Sequence, residues 1–161
     1  MKKNNICLQF VEVDTVNELS EEEQELIYIS RQMTLQSYAP YSRYFVGAAV
    51  KLDNGEIVKG CNQENAAYPS GLCAERVAVF SALSLFPHVH INMLAISARS
   101  LQKSVDHPVT PCGACRQVLI EYEFKQKHPI KLLLSGESGK IYIINNVKGL
   151  LPLSFTPDEL K

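Results

Sequence analysis

At 161 residues and 46% hydrophobic composition, the chain is long enough for one domain with a real core and too short to make a second domain expected. Its 16 basic and 17 acidic residues leave a formal net charge of −1, which gives no general pull toward nucleic acid or an anionic membrane and favours small-molecule partners. No segment approaches transmembrane length, and Asn4, Asn5 and Gln9 interrupt the apolar run that a secretory leader would need after Met1-Lys2-Lys3, so a cytoplasmic protein is expected.

Residues 6–13 alternate well enough to form a strand at a sheet edge, within an N-terminal extension over 1–19. Ser20 with Glu23 makes a capping box, and Leu26, Ile29 and Met33 follow at helical spacing, which predicts a helix over 21–37. Its three consecutive glutamates are a solvated first turn. The chain then turns through Pro40 into a strand ending near Val50, Asp53-Asn54-Gly55 supplies a hairpin turn, and residues 57–61 return. Asn62 and Glu64 stand just past the hairpin, where turn residues and ligand-binding side chains are both common.

Tyr68-Pro69-Ser70-Gly71 is a turn that delivers the chain to Cys73. From Cys73, Val77, Ala78, Ser81, Ala82 and Leu85 recur at helical spacing until Pro87. Residues 91–97 are apolar enough for a buried parallel strand. His88 and His90 beside it lack a third ligand and read as an incidental pair. A polar loop over 99–109 leads to Pro111 and a third helix carrying Val118, Leu119 and Tyr122, and strands follow at 130–135 and 141–144 around a Glu137–Lys140 turn. Strands alternating with helices imply an α/β layered sheet covered by helices. One domain over 1–161 is expected.

The chemistry concentrates in Cys73-Ala74-Glu75-Arg76 and Pro111-Cys112-Gly113-Ala114-Cys115-Arg116-Gln117. Five cysteines, an odd number in a chain without an export leader, point to reduced thiols and metal binding. Cys112 and Cys115 supply two soft ligands, and Cys73 is the third if the chain folds back. Both groups sit at helix starts, where the helix dipole and free amides favour thiolate. Three thiolates on one zinc ion leave a fourth position for water, the arrangement of a catalytic site; a structural site is closed by four protein ligands. Glu75 is close without being a ligand and reaches that water only if the metal lies at the helix end, while Arg76 offsets part of the thiolate charge or is a surface arginine. Cys7 and Cys61 read as small apolar residues.

These two motifs together resemble the cytidine deaminase family, specifically its small-subunit, three-cysteine branch, and the likeness extends over roughly residues 20–160. The resemblance implies a three-layer α-β-α sandwich with a mixed sheet of about five strands and helices on both faces. It implies Zn2+, one per chain, on Cys73, Cys112 and Cys115, with Glu75 shuttling protons during hydrolytic deamination of cytidine and 2′-deoxycytidine, a reaction of pyrimidine salvage. It assigns Asn62 and Glu64 to a ribose 3′-hydroxyl, the Tyr44 ring to the base where relatives usually have Phe, the Ala74 amide to the pyrimidine carbonyl, and the Thr110 carbonyl, at a position usually Ser, to the departing amino group. It further implies a homotetramer in which Phe155 reaches a neighbouring subunit's site, with Leu153 where some relatives have Phe. The rivals are a deaminase of another cytosine-bearing molecule such as blasticidin S, against which the Asn62/Glu64 pair counts, and a nucleic-acid cytosine deaminase, which would need basic and aromatic surface. A non-catalytic zinc-stabilised nucleoside-binding module is the third, and it has no use for Glu75.

Overall fold

Ser20 opens the first helix as its capping box predicts: its hydroxyl accepts from the Glu23 amide and the Glu23 carboxylate takes the Ser20 amide. In the computed structural model, which describes residues 1–160, helix α1 spans Glu21–Met33 and tightens into a 3₁₀ turn over Thr34–Gln36. Helices α2 and α3 span Ala74–Leu85 and Gly113–Gln126. The strands are β1 (Val11–Val13), β2 (Tyr44–Leu52), β3 (Ile57–Cys61), β4 (Ile91–Ser100), β5 (Lys131–Ser135) and β6 (Ile141–Ile144).

All six strands join one mixed sheet in the order β1-β6-β5-β4-β2-β3. Only β4 and β5 run parallel, with α3 as their crossover, and the remaining neighbours are antiparallel. The sheet therefore has one strand more than the expected five, because the N-terminal extension pairs Val11 with Ile143 and Val13 with Ile141. That strand is shorter than the predicted 6–13 because β6 offers only four residues to pair with. Ahead of it, Phe10 packs on Tyr142 with the rings tilted by 46° and 4.6 Å between their centres.

The period-two alternation of the strands sorts the core into two faces. Ala48, Val50, Leu94, Ile96, Leu132 and Leu134 meet α2 and α3 through Ala74, Ala78, Val79, Leu119 and Ile120. Ala49, Met93, Ala95, Leu133 and Ile141 meet α1 through Leu26 and Ile27. The result is the expected α-β-α sandwich. Each fully buried Leu or Ile contributes about 1.5–3 kcal/mol relative to exposure. Two glycines let the layers close. A methyl group on Gly47 would strike the Ser30 carbonyl of α1, and one on Gly60 would sit 2.7 Å from the Ala74 carbonyl of α2. Ser30, Ser97 and Ser135, all buried, form a hydrogen-bonded chain from α1 across β4 to β5 at 2.6 and 2.7 Å. Among the described residues no helix is long and apolar enough to cross a membrane.

Candidate metal centre and its pocket

The chain reaches α2 straight from the β3 side of the sheet and α3 after β4, and their first turns meet. Cys73 is the N-cap of α2 and Cys112 that of α3, both with extended backbone. Cys115 lies in the first turn of α3 and is buried. The three sulfurs lie within 4.8 Å of one another, and Cys73 Sγ is 3.8 Å from Cys112 Sγ. Zinc–sulfur bonds of about 2.3 Å in a tetrahedron require sulfurs about 3.8 Å apart, so this donor set fits one Zn2+ in both chemistry and spacing.

The electrostatics agree. A hydrogen bond from Cys115 pulls the Cys73 thiol down to about 5 against the effect of burial, helped by Arg76 and Cys112. Sharing that proton pushes the Cys115 thiol up, and burial adds to it. A cation in the cluster would take the proton's place. Arg76 Nη2 stands 3.8 Å from Cys73 Sγ and 3.5 Å from the Gly71 carbonyl, and its Nε is buried without a partner. It is half-buried beside the cluster.

Glu75, the second residue of α2, is only 5% exposed. Burial raises its carboxyl to about 7, and the neighbouring Cys73 charge pushes in the same direction. The three sulfurs lie at the helix starts, where the reading of Glu75 needs the metal to sit, and Glu75 opens with Cys73 and Cys112 onto a cavity of about 710 Å³.

Tyr44, Asn62, Glu64, Arg76 and Thr110 line the same cavity, so the sequence-predicted residues converge. The side chains of Asn62 and Glu64 are already engaged. Asn62 Oδ1 accepts from the Val46 amide at 2.8 Å and its Nδ2 donates to the Tyr44 carbonyl at 3.0 Å. Glu64 accepts from the Tyr41 and Ser42 amides at 2.9 and 3.2 Å and from the Ser42 hydroxyl. Burial holds the Tyr44 phenol above its ordinary range, so it stays protonated. Ala74 is fully buried as the first residue of α2, where helix amides have no intrahelical acceptor. Phe155 lies outside the cavity lining and is 57% exposed, with its carbonyl held by Gln117 Nε2 at 2.8 Å.

Several contributors escape a reading of the sequence. Tyr41, Ser42 and Tyr68 join the lining from turns, and the two tyrosine rings meet edge to face at 5.9 Å. Val46 shares a strand face with Tyr44, which alternation along β2 would have shown. Arg116 donates to the Pro111 and Leu150 carbonyls, each at 2.8 Å, and to Thr110 Oγ1 at 3.3 Å, tying the C-terminal segment to the loop before Cys112. His90 instead pairs with Asp53 at 3.4 Å and stacks on His128, apart from the cluster.

Comparison with known proteins agrees with this geometry. The family model for the cytidine and deoxycytidylate deaminase zinc-binding region matches residues 20–128. A cytidine deaminase of Sporosarcina psychrophila is 37% identical over 138 residues, covering 85% of this chain and 93% of the relative. The crystal structure of a cytidine deaminase from Burkholderia pseudomallei superposes with a TM-score of 0.71 at 34% identity, over 85% of this chain and 100% of that one. A blasticidin-S deaminase of Bacillus cereus is more distant, at 26% identity over 141 residues.

Proposed function

The chain belongs to the cytidine and deoxycytidylate deaminase family, and on that premise we propose that it hydrolyses the 4-amino group of cytidine, giving uridine and ammonia. The observation that carries this reading is the buried Glu75 carboxyl facing the same cavity as Cys73 and Cys112, two of the three sulfurs spaced for zinc. Bound zinc supplies the Lewis acidity that makes a water nucleophilic near neutral pH.

The residues divide the remaining work. Glu75, buried at the start of α2 beside the cluster, is the group that both accepts and gives a proton. It takes a proton from the attacking water, passes it to ring N3 as the C4–O bond forms, and carries the second proton to the 4-amino group. The C4–N bond then breaks and ammonia leaves. Arg76 offsets the thiolate charge beside it. Tyr44 offers its ring to the base, the Thr110 carbonyl meets the amino group, and the Ala74 amide meets the 2-carbonyl. Asn62 and Glu64 take the ribose. Their fixed hydrogen bonds support that role, because a side chain held in place before binding loses little freedom on contact.

2′-Deoxycytidine is the second substrate in this proposal, and pyrimidine salvage in the cytoplasm the setting. The exposed Phe155 and Leu153 support a homotetramer in which the C-terminal segment meets a neighbour, which light scattering on purified protein would measure. Absorbance loss on incubation with cytidine, and separately with blasticidin S, tests the substrate. Turnover of cytidine well above that of blasticidin S is expected. The reverse order would replace the reading with the rival.

A further inference from the structure

The turn from Tyr41 to Tyr44 is wrapped around one carboxylate. Arg43 has a φ of 53°, a left-handed conformation that residues with side chains adopt at a cost. The Arg43 amide donates to the Ala39 carbonyl at 3.1 Å, and the Ser42 hydroxyl accepts from the Tyr44 amide at 3.0 Å. That hydroxyl in turn donates to Glu64 Oε1 at 2.5 Å, while the Tyr41 and Ser42 amides both donate to Oε2. Burial pushes the Glu64 carboxyl up, but these three donors outweigh it and hold it below its ordinary range.

A carboxylate offers about four acceptor sites, two on each oxygen. Both sites on Oε2 are filled by amides and one on Oε1 by the Ser42 hydroxyl, so among the described residues one acceptor on Oε1 is left without a donor, on a residue that lines the cavity. We propose that Ser42 is a positioning residue for sugar recognition, fixing Glu64 so that this one acceptor meets the substrate's 3′-hydroxyl. The proposal rests on the reading that Glu64 takes the ribose. A lone acceptor on an anion demands a donor opposite it. It therefore favours a free 3′-hydroxyl, discriminates against a 3′-deoxy sugar, and repels a 3′-phosphate.

The test compares kcat/KM for cytidine and 3′-deoxycytidine on zinc-loaded wild type, Ser42→Ala, Ser42→Thr and Glu64→Gln. Both substrates are measured on each preparation, so the ratio does not depend on the active fraction. Wild type should prefer cytidine. Ser42→Ala should lower that preference about tenfold, chiefly through KM for cytidine, as loss of support to a charge-assisted bond implies. Ser42→Thr, which keeps the hydroxyl, should restore it. If Ser42→Ala does not fold, Ser42→Cys carries the same expectation. An equal loss on both substrates would mean that Ser42 acts through Tyr44 or the fold, and would overturn the proposal. So would an unchanged preference in Ser42→Ala while Glu64→Gln loses it. If Glu64→Gln itself keeps the wild-type preference, the sugar assignment of Glu64 fails, and the proposal with it.

Discussion

The two ends of the cavity are built differently. At the metal end, Cys73, Glu75, Cys112 and Cys115 all sit at a helix N-cap or in its first turn. At the other end, proposed above for the sugar and called the sugar end here, Ser42, Asn62 and Glu64 sit in turns and just past a strand, and the Asn62 and Glu64 side chains are tied to backbone 16 to 23 residues away. A helix start sets the direction of its side chains by local geometry and supplies free amides as well. A turn sets nothing until distant hydrogen bonds close on it. The metal end is thus a property of two short segments, and the sugar end a property of their assembly.

Breaking the metal end should have the largest effect. Cys115→Ala removes a buried ligand and should cost on the order of a thousandfold or more in kcat/KM, with zinc lost by atomic absorption. The sugar end should be softer: Glu64→Ala should cost about tenfold or more in kcat/KM while zinc stays bound, because one charge-assisted bond is removed. Retained metal in the first variant, or lost metal in the second, would erase the distinction between the two ends. Gly47→Ala acts on the layer beneath the sugar end. Forcing a methyl group against α1 should lower unfolding stability by about 1–3 kcal/mol in urea titrations.

Far from both ends, Ser20→Ala should lower stability by about 1 kcal/mol, or about 2–4 °C in melting temperature, with kinetics unchanged. Its capping partner Glu23 gives the smallest effect, a pH dependence. Burial raises the Glu23 carboxyl, but Ser20 and Lys131, 3.0 Å away, bring it below its ordinary 4.5. Its contribution is therefore present above that value and lost as pH falls through the lower, folded-state one. Glu23→Gln should flatten the acid limb of the stability curve and leave neutral pH kinetics alone.

Much of the fold is legible in the sequence because its signals are local. The Ser20/Glu23 box, the Asp53-Asn54-Gly55 turn and the period-two strands appear where the residues predict them, and β6 matches its predicted 141–144. The N-terminal strand is shorter than its own alternation suggests, since its length is set by β6. In the site, cysteine spacing with helix periodicity is enough to mark out the metal cluster. Asn62 and Glu64 stand out only through family resemblance, Ser42 not at all, and Arg116 only as part of the second cysteine motif, without a role. Ser42 acts across 22 positions to Glu64 and Arg116 across 34 to Leu150, distances over which no pattern in the chain reports contact.

The proposed reaction turns on a buried carboxyl that moves protons beside a three-thiolate metal cluster. Cytidine turnover by ultraviolet absorbance on wild type and Glu75→Gln, with zinc determined on both, tests it most directly. The amide keeps the shape of the side chain and removes the acid. We expect one zinc per chain in each protein and a fall in kcat of about 10²–10⁴ in the variant. A Glu75→Gln protein that turns cytidine over at the wild-type rate with its zinc in place would remove Glu75 from proton transfer.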